Sequence, residues 1–182
     1  MWNLLVVTTY IPISLGCVAW WLYRGSTAEL WLQVLGYFPF RDLVIGIGVG
    51  LVIVAATRLA SPLFAFARRM EESLLTVVGP ISFTTCVVLA LASSVGEEFL
   101  FRGVIQPEIG LIATAVLFAL VHVPMERDLL PWPIFAFGMG LIVGALYQWS
   151  GALPGPIAVH FTINFLNLRW LSLRAADAAD AA

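Results

Sequence analysis

Seven residues of this chain have the types and spacings that chemistry needs. Glu97, Glu98 and Arg102 lie in SSVGEEFLFRG, Phe118 and His122 in LFALVHVP, and His160 and Asn164 in IAVHFTINFLN. Both of the chain's histidines fall in this set. Taken singly, each feature has a plain structural reading. Glu98 and Arg102 make an i,i+4 ion pair, a lone membrane histidine bonds a neighbouring carbonyl, and an asparagine joins two helices. Taken together they read differently. A carboxylate, two imidazoles and a carboxamide are the ingredients for activating water and stabilising an oxyanion.

Helix geometry gives these side chains directions. Residues four apart differ by about 40° around a helix of 3.6 residues per turn. Glu98 and Arg102 therefore share a face, as do His160 and Asn164. Glu97 is turned by about 100° from Glu98, which frees it to face something else. Phe118 lies one turn before His122 and can brace that ring by packing.

The elements that must position these groups are membrane helices. Of the 182 residues, 61% are hydrophobic and 11% charged, against roughly 25% charged in a soluble domain. Apolar runs of about 20 residues, enough to cross a hydrocarbon core, recur. The pattern predicts an all-α, polytopic transmembrane bundle of about six spans, forming one domain over residues 1–182. The spans fall at about residues 2–23, 43–59, 74–106, 110–123, 133–149, and from after GALPGP to about Leu173. Residues 25–42, with Trp31, Tyr37 and Pro39, read as a loop with an interfacial helix or as a short span. SPLFAFARRMEES reads as an amphipathic helix lying on the surface. The final AADAADAA, residues 175–182, is expected to be a frayed, disordered tail.

Ionisable groups inside spans cost about 2.5–3.5 kcal/mol each on insertion scales, so they usually serve a function. The opening segment has no basic residue before Arg24 and is too long for a removable signal peptide, so it reads as a retained span. All nine basic residues are arginine, a weak pointer to a bacterial source. Arg58, Arg68, Arg69, Arg127, Arg169 and Arg174 gather on one side of a six-span arrangement. The positive-inside rule then puts both termini in the cytoplasm, which in a bacterium means a multi-pass protein of the inner membrane. A net charge of −2 gives no basis for a nucleic-acid partner. Cys17 and Cys86 sit in apolar runs and read as packing residues, as do Ser93 and Ser94.

Glu-Glu-x-x-x-Arg at 97–102, Phe-x-x-x-His at 118–122 and His-x-x-x-Asn at 160–164 resemble, in order, the three motifs of the CAAX-processing and bacteriocin-processing (CPBP) intramembrane proteases. EEFLFRG and the proline-bearing approach to HFTIN are similar too. The resemblance covers about residues 80–170, the expected catalytic core. It implies a glutamate-type intramembrane endopeptidase acting on a membrane-associated peptide or protein at the lipid bilayer. In that scheme Glu97 and His122 hold and deprotonate water, and His160 and Asn164 form the oxyanion site. Glu98, Arg102 and Phe118 support the site, and activity should largely persist in Glu98→Ala.

A zinc reading stays open, because Glu97, His122 and His160 could hold the ion and leave a position for water. Against it, the HEXXH spacing is absent, and the resemblance favours a site without cofactor. A non-catalytic reading also stays open: an immunity or scaffold protein that binds a peptide in the same cavity. The chain has fewer N-terminal spans than eight-helix prenyl-protein relatives. Prenylated CAAX proteins, leader peptides and C-terminal sorting tails are all candidate substrates, and its shortness favours the bacterial peptides.

Overall fold

The computed structural model describes residues 2–24 and 27–180. Among them the fold is all helical, as the apolar periodicity predicts. Helix α1 is Trp2–Arg24, α2 Thr27–Leu35, α3 Pro39–Ala60, α4 Ala65–Val78 and α5 Phe83–Glu98. A π-helical segment, Phe99–Ile105, continues α5 into the short α6, Gln106–Ile109. Then follow α7 (Leu111–Val121), α8 (Trp132–Ser150) and α9 (Pro154–Asp180).

Two boundaries depart from the sequence expectation. The third span does not begin near Leu74, because α4 ends at Val78. Gly79 adopts φ +60, which favours glycine. Pro80 then has no N–H to continue a helix. Ser82 starts α5 afresh, its side chain accepting from the Thr85 N–H at 3.1 Å. At the C-terminus α9 continues through Ala175 to Asp180 rather than fraying, as the high helix propensity of alanine permits.

Contacts sort the connections into two ends of a bundle. At one end the Leu153 N–H donates to the Gln33 carbonyl (3.0 Å), Arg24 pairs with Glu108 (2.8 Å) and Arg41 lies over the Trp149 ring. At the other, Ser172 Oγ donates to the Ile81 carbonyl and Arg174 pairs with Glu71. Helix α2 lies at the first end. Its nine residues span about 14 Å, too short for a hydrocarbon core of about 30 Å, so it fits the interfacial reading.

Small residues let the helices close on one another. Helix α3 packs along α9, where a Cβ on Gly50 would lie 2.8 Å from Thr162 Cβ and 3.1 Å from the Val159 carbonyl. Close backbone approach of this kind is typical of membrane helix pairs. Val54, Met139, Val143, Val159 and Ile163 form the core between α3, α8 and α9. A second cluster, Phe101, Phe118 and Ala136, joins the π segment to α7 and α8.

Three stretches among the described residues are long and apolar enough to cross a membrane: Pro39–Leu63, Phe83–Ile109 and Arg127–Ser150. Only 17%, 28% and 22% of their most apolar windows is buried inside the bundle. Much of the remaining apolar surface is exposed, as lipid requires and water would not favour. Exposed aromatics ring both ends, Tyr23, Trp31, Tyr37 and Trp149 at one and Phe64, Phe83 and Trp170 at the other, the pattern of interfacial belts. This is a membrane helical bundle. Helix α7 is apolar but has 11 residues, so it ends partway and leaves His122 at its C-cap.

Candidate active site

Glu97 stands at the end of α5, where the helix passes into the π segment. π-helical turns widen the backbone spiral and occur often at functional sites. On the outer side of the carboxylate, the Tyr10 hydroxyl of α1 donates to Glu97 Oε1 at 2.8 Å. On the inner side Oε2 is buried and has no hydrogen-bond partner. It faces His122 Nε2 at 3.7 Å and His160 Nε2 at 3.9 Å. The three residues that the sequence places on three different helices thus meet at one atom.

Both imidazoles are held from behind. His122 Nδ1 bonds the Phe118 carbonyl one turn earlier at 2.7 Å, and His160 Nδ1 bonds Glu98 Oε1 at 2.7 Å. A carbonyl and a carboxylate only accept, so each Nδ1 carries the proton and donates. In a neutral imidazole this leaves the Nε2 lone pair pointing at Glu97. The Phe118 ring lies tilted against His122, centroids 4.4 Å apart, and meets His160 edge-on at 6.2 Å. The expected brace is present, and it steadies both histidines.

Glu98 is fully buried and pairs with Arg102, itself 1% exposed, at 2.9 Å. The i,i+4 pair read from the helix period is formed. Arg102 also donates to the Gly140 carbonyl of α8 (3.3 Å) and lies over the Phe118 ring. Glu98 has a second task that its support role did not include. The same Oε1 that takes Arg102 orients His160, so Glu98 fixes which nitrogen of that ring faces Glu97. This contact argues against the expectation that Glu98→Ala would largely keep activity.

Asn164 is half-buried one turn beyond His160, and its Nδ2 donates to Ser93 Oγ at 3.0 Å. Ser93 lies on α5 one turn before Glu97, so the amide reaches the flank of the same helix. Ser93, read as packing, is therefore the partner that sets the Asn164 amide. Ser94 is buried and donates to the Leu91 carbonyl, and Cys17 and Cys86 are buried free thiols; these three pack as expected. Tyr10 was not singled out in the sequence. A phenol inside an apolar span was the available signal, because its hydroxyl needs a partner when buried.

The donor set also bears on the zinc reading. Tetrahedral zinc with bonds of 2.0–2.1 Å would put its ligand atoms about 3.3 Å apart. The separations of 3.7 and 3.9 Å at Glu97 Oε2 are wider. Among the described residues no group of three His, Cys, Asp or Glu side chains is disposed to hold a metal ion. A water at about 2.8 Å from two of these acceptors fits the spacing better.

Residues 79–166 match the family described as type II CAAX prenyl endopeptidase Rce1-like. Over that segment the chain is similar to the Rce1-like family. Every residue of the cluster except Tyr10 lies within the matched segment. The chain is also 28% identical over 138 residues to the uncharacterized protein YpbD of Bacillus subtilis strain 168, covering 72% of this chain and 71% of that protein. No solved structure matches. The family that this segment resembles is of the CAAX-protease type, in accord with the three motifs.

Proposed function

We propose that this protein is an intramembrane endopeptidase that hydrolyses a peptide bond with water activated by Glu97, without a metal. The observation that carries the reading is Glu97 Oε2, buried, unpartnered and faced by two imidazole Nε2 atoms. A buried carboxylate oxygen without a partner is costly, and a bound water donating to it and to His122 relieves that cost.

In the reaction Glu97 takes one proton of this water as the water oxygen adds to the peptide carbonyl. The oxyanion receives hydrogen bonds from the Asn164 amide and from His160 when its Nε2 carries a proton. The proton held by Glu97 then passes to the leaving nitrogen as the C–N bond breaks. A free carboxylic acid and an amine result, and Glu97 returns to the carboxylate. Glu98 and Arg102 hold His160 and the end of α5.

The substrate is a membrane-associated peptide, a CAAX-like protein, a leader peptide or a C-terminal sorting tail. The chain crosses the membrane six times, through α1, α3, α5 with the π segment, α7 with the segment that follows it to Asp128 beside Arg69, α8 and α9. Arg58, Arg68, Arg69, Arg127, Arg169 and Arg174 lie toward one end and Arg24 and Arg41 toward the other, which supports cytoplasmic termini and a bacterial inner membrane.

The test is cleavage of a farnesylated CAAX peptide and of a mixed membrane-peptide library by the purified wild type and by Glu97→Gln, with and without a strong chelator. Cleavage that survives the chelator and vanishes in Glu97→Gln is expected. Loss with chelator and restoration by zinc would overturn the metal-free mechanism. A folded wild type that binds these peptides uncut would favour the scaffold reading.

A further inference from the structure

Helix α1 lies outside the family-matched segment, yet it touches the reacting carboxylate. Among its described side chains Val6, Cys17 and Trp21 are buried. Relative to Tyr10 they fall at about −40°, −20° and +20° around the helix. Tyr10 thus sits in the middle of the face by which α1 docks on α5 and the π segment. Two glycines receive that face. A Cβ on Gly96 would lie 2.7 Å from Tyr10 Cδ1 and 3.2 Å from its Cβ, so the tyrosine rests on bare helix backbone immediately before Glu97. Three turns on, Trp21 lies against Gly103, and its indole N–H donates to the Gly103 carbonyl at 2.9 Å.

We propose that Tyr10 is a positioning residue for Glu97, setting the carboxylate plane so that one oxygen is held outward and the other is presented to the two histidines. This rests on the endopeptidase reading. The terminal torsion of a glutamate is broad and nearly two-fold, so nothing in the side chain itself fixes its plane. The phenol does so by donating to Oε1 at 2.8 Å, a hydrogen bond strengthened by the charge of its acceptor. Oε2 is then left toward His122 and His160. Docking by Trp21 and Cys17 keeps the phenol at a fixed height, so the contact does not depend on Tyr10 alone.

The experiment uses the full chain in lipid nanodiscs, an internally quenched farnesylated CAAX peptide as probe, and the variants Tyr10→Phe, Tyr10→Ala and Glu97→Gln. Tyr10→Phe keeps the ring on Gly96 and removes the donor. Its kcat should fall about ten- to a hundredfold, with KM within about twofold and an unchanged thermal midpoint. Tyr10→Ala should show the same loss of kcat and also melt earlier. A purely structural tyrosine would give a Phe variant with wild-type kcat, and that result overturns the proposal. So does a loss carried by KM. If wild type cleaves, Glu97→Gln does not and Tyr10→Phe equals wild type, only this proposal fails. If wild type leaves intact both this probe and every member of the mixed membrane-peptide library, the endopeptidase reading fails and this one with it.

Discussion

Two polar clusters interrupt this apolar bundle, and they are built on opposite terms. At the arginine-rich end, Glu71 accepts from Arg174 (2.6 Å), Trp170 (3.4 Å) and Ser61 (3.4 Å), so both carboxylate oxygens are occupied. Arg58 lies over Trp170 and donates to the Leu166 carbonyl and to Asn167. In the cluster around Glu97, Glu97 Oε2, Glu98 Oε2 and Arg102 Nε are buried without partners. The first cluster is saturated and stands partly in water, where ionic groups cost little. The second is enclosed and incomplete, a state that structure alone does not reward. Asp42 Oδ2 is also buried without a partner, so unfilled capacity alone does not mark a reacting site; Glu97 differs because its free oxygen faces two histidine rings.

The largest break in that contrast comes from Glu97→Gln. The amide keeps an acceptor for Tyr10 and nearly the same shape but cannot take a proton. Steady-state cleavage should fall by about 10³-fold or more, while the melting temperature stays near wild type. Glu98→Ala should show the reverse emphasis. It leaves Arg102 buried without its carboxylate, which costs about 3–5 kcal/mol, and it frees His160. A thermal melt should report a destabilised protein, and cleavage should drop with it. Full activity in a stable Glu98→Ala protein would refute the His160 assignment.

Periodicity and rarity made much of this legible. Four-residue spacing was enough to pair Glu98 with Arg102, and two histidines in apolar runs were conspicuous because such groups are expensive there. What escaped was the long-range partner. Tyr10 and Glu97 are 87 positions apart, and no local pattern couples a phenol in the first helix to a carboxylate in the fifth. Glu98 was read only along its own helix, so its bond to His160, 62 positions away, was missed. The break at Gly79–Pro80 was hidden by apolar residues on both sides, although both residue types announce it. The π segment leaves no mark in a 3.6-residue reading.

Asn164→Ala sharpens the contrast at an intermediate level. Removing one donor from an oxyanion site costs about a hundredfold or more in kcat, and the half-buried position should spare stability. Ser93→Ala only releases the Asn164 amide from its 3.0 Å bond. A loss of a few-fold is expected, since neutral hydrogen bonds contribute about 1 kcal/mol net. The ratio of the two effects, measured on one peptide probe, tells whether the amide acts on substrate or merely ties α9 to α5. Equal losses would mean the tie is the whole of its role.

The smallest effect is expected at the saturated cluster. Glu71→Gln removes the charge opposite Arg174, a pair whose side chains are 25% and 51% exposed. Partly exposed ion pairs contribute about 0–1 kcal/mol, and salt screens them further. The amide oxygen still accepts from Trp170 and the NH2 group can donate to Ser61 Oγ, so α4 stays against α9. The thermal midpoint should move by about 4 °C or less, and cleavage should match wild type. A large loss of activity in a normally folded Glu71→Gln protein would mean that this end of the bundle acts on the site through α9. The division between anchor and reacting centre would then be wrong, and His160, carried on the same helix, would be the first residue to re-examine.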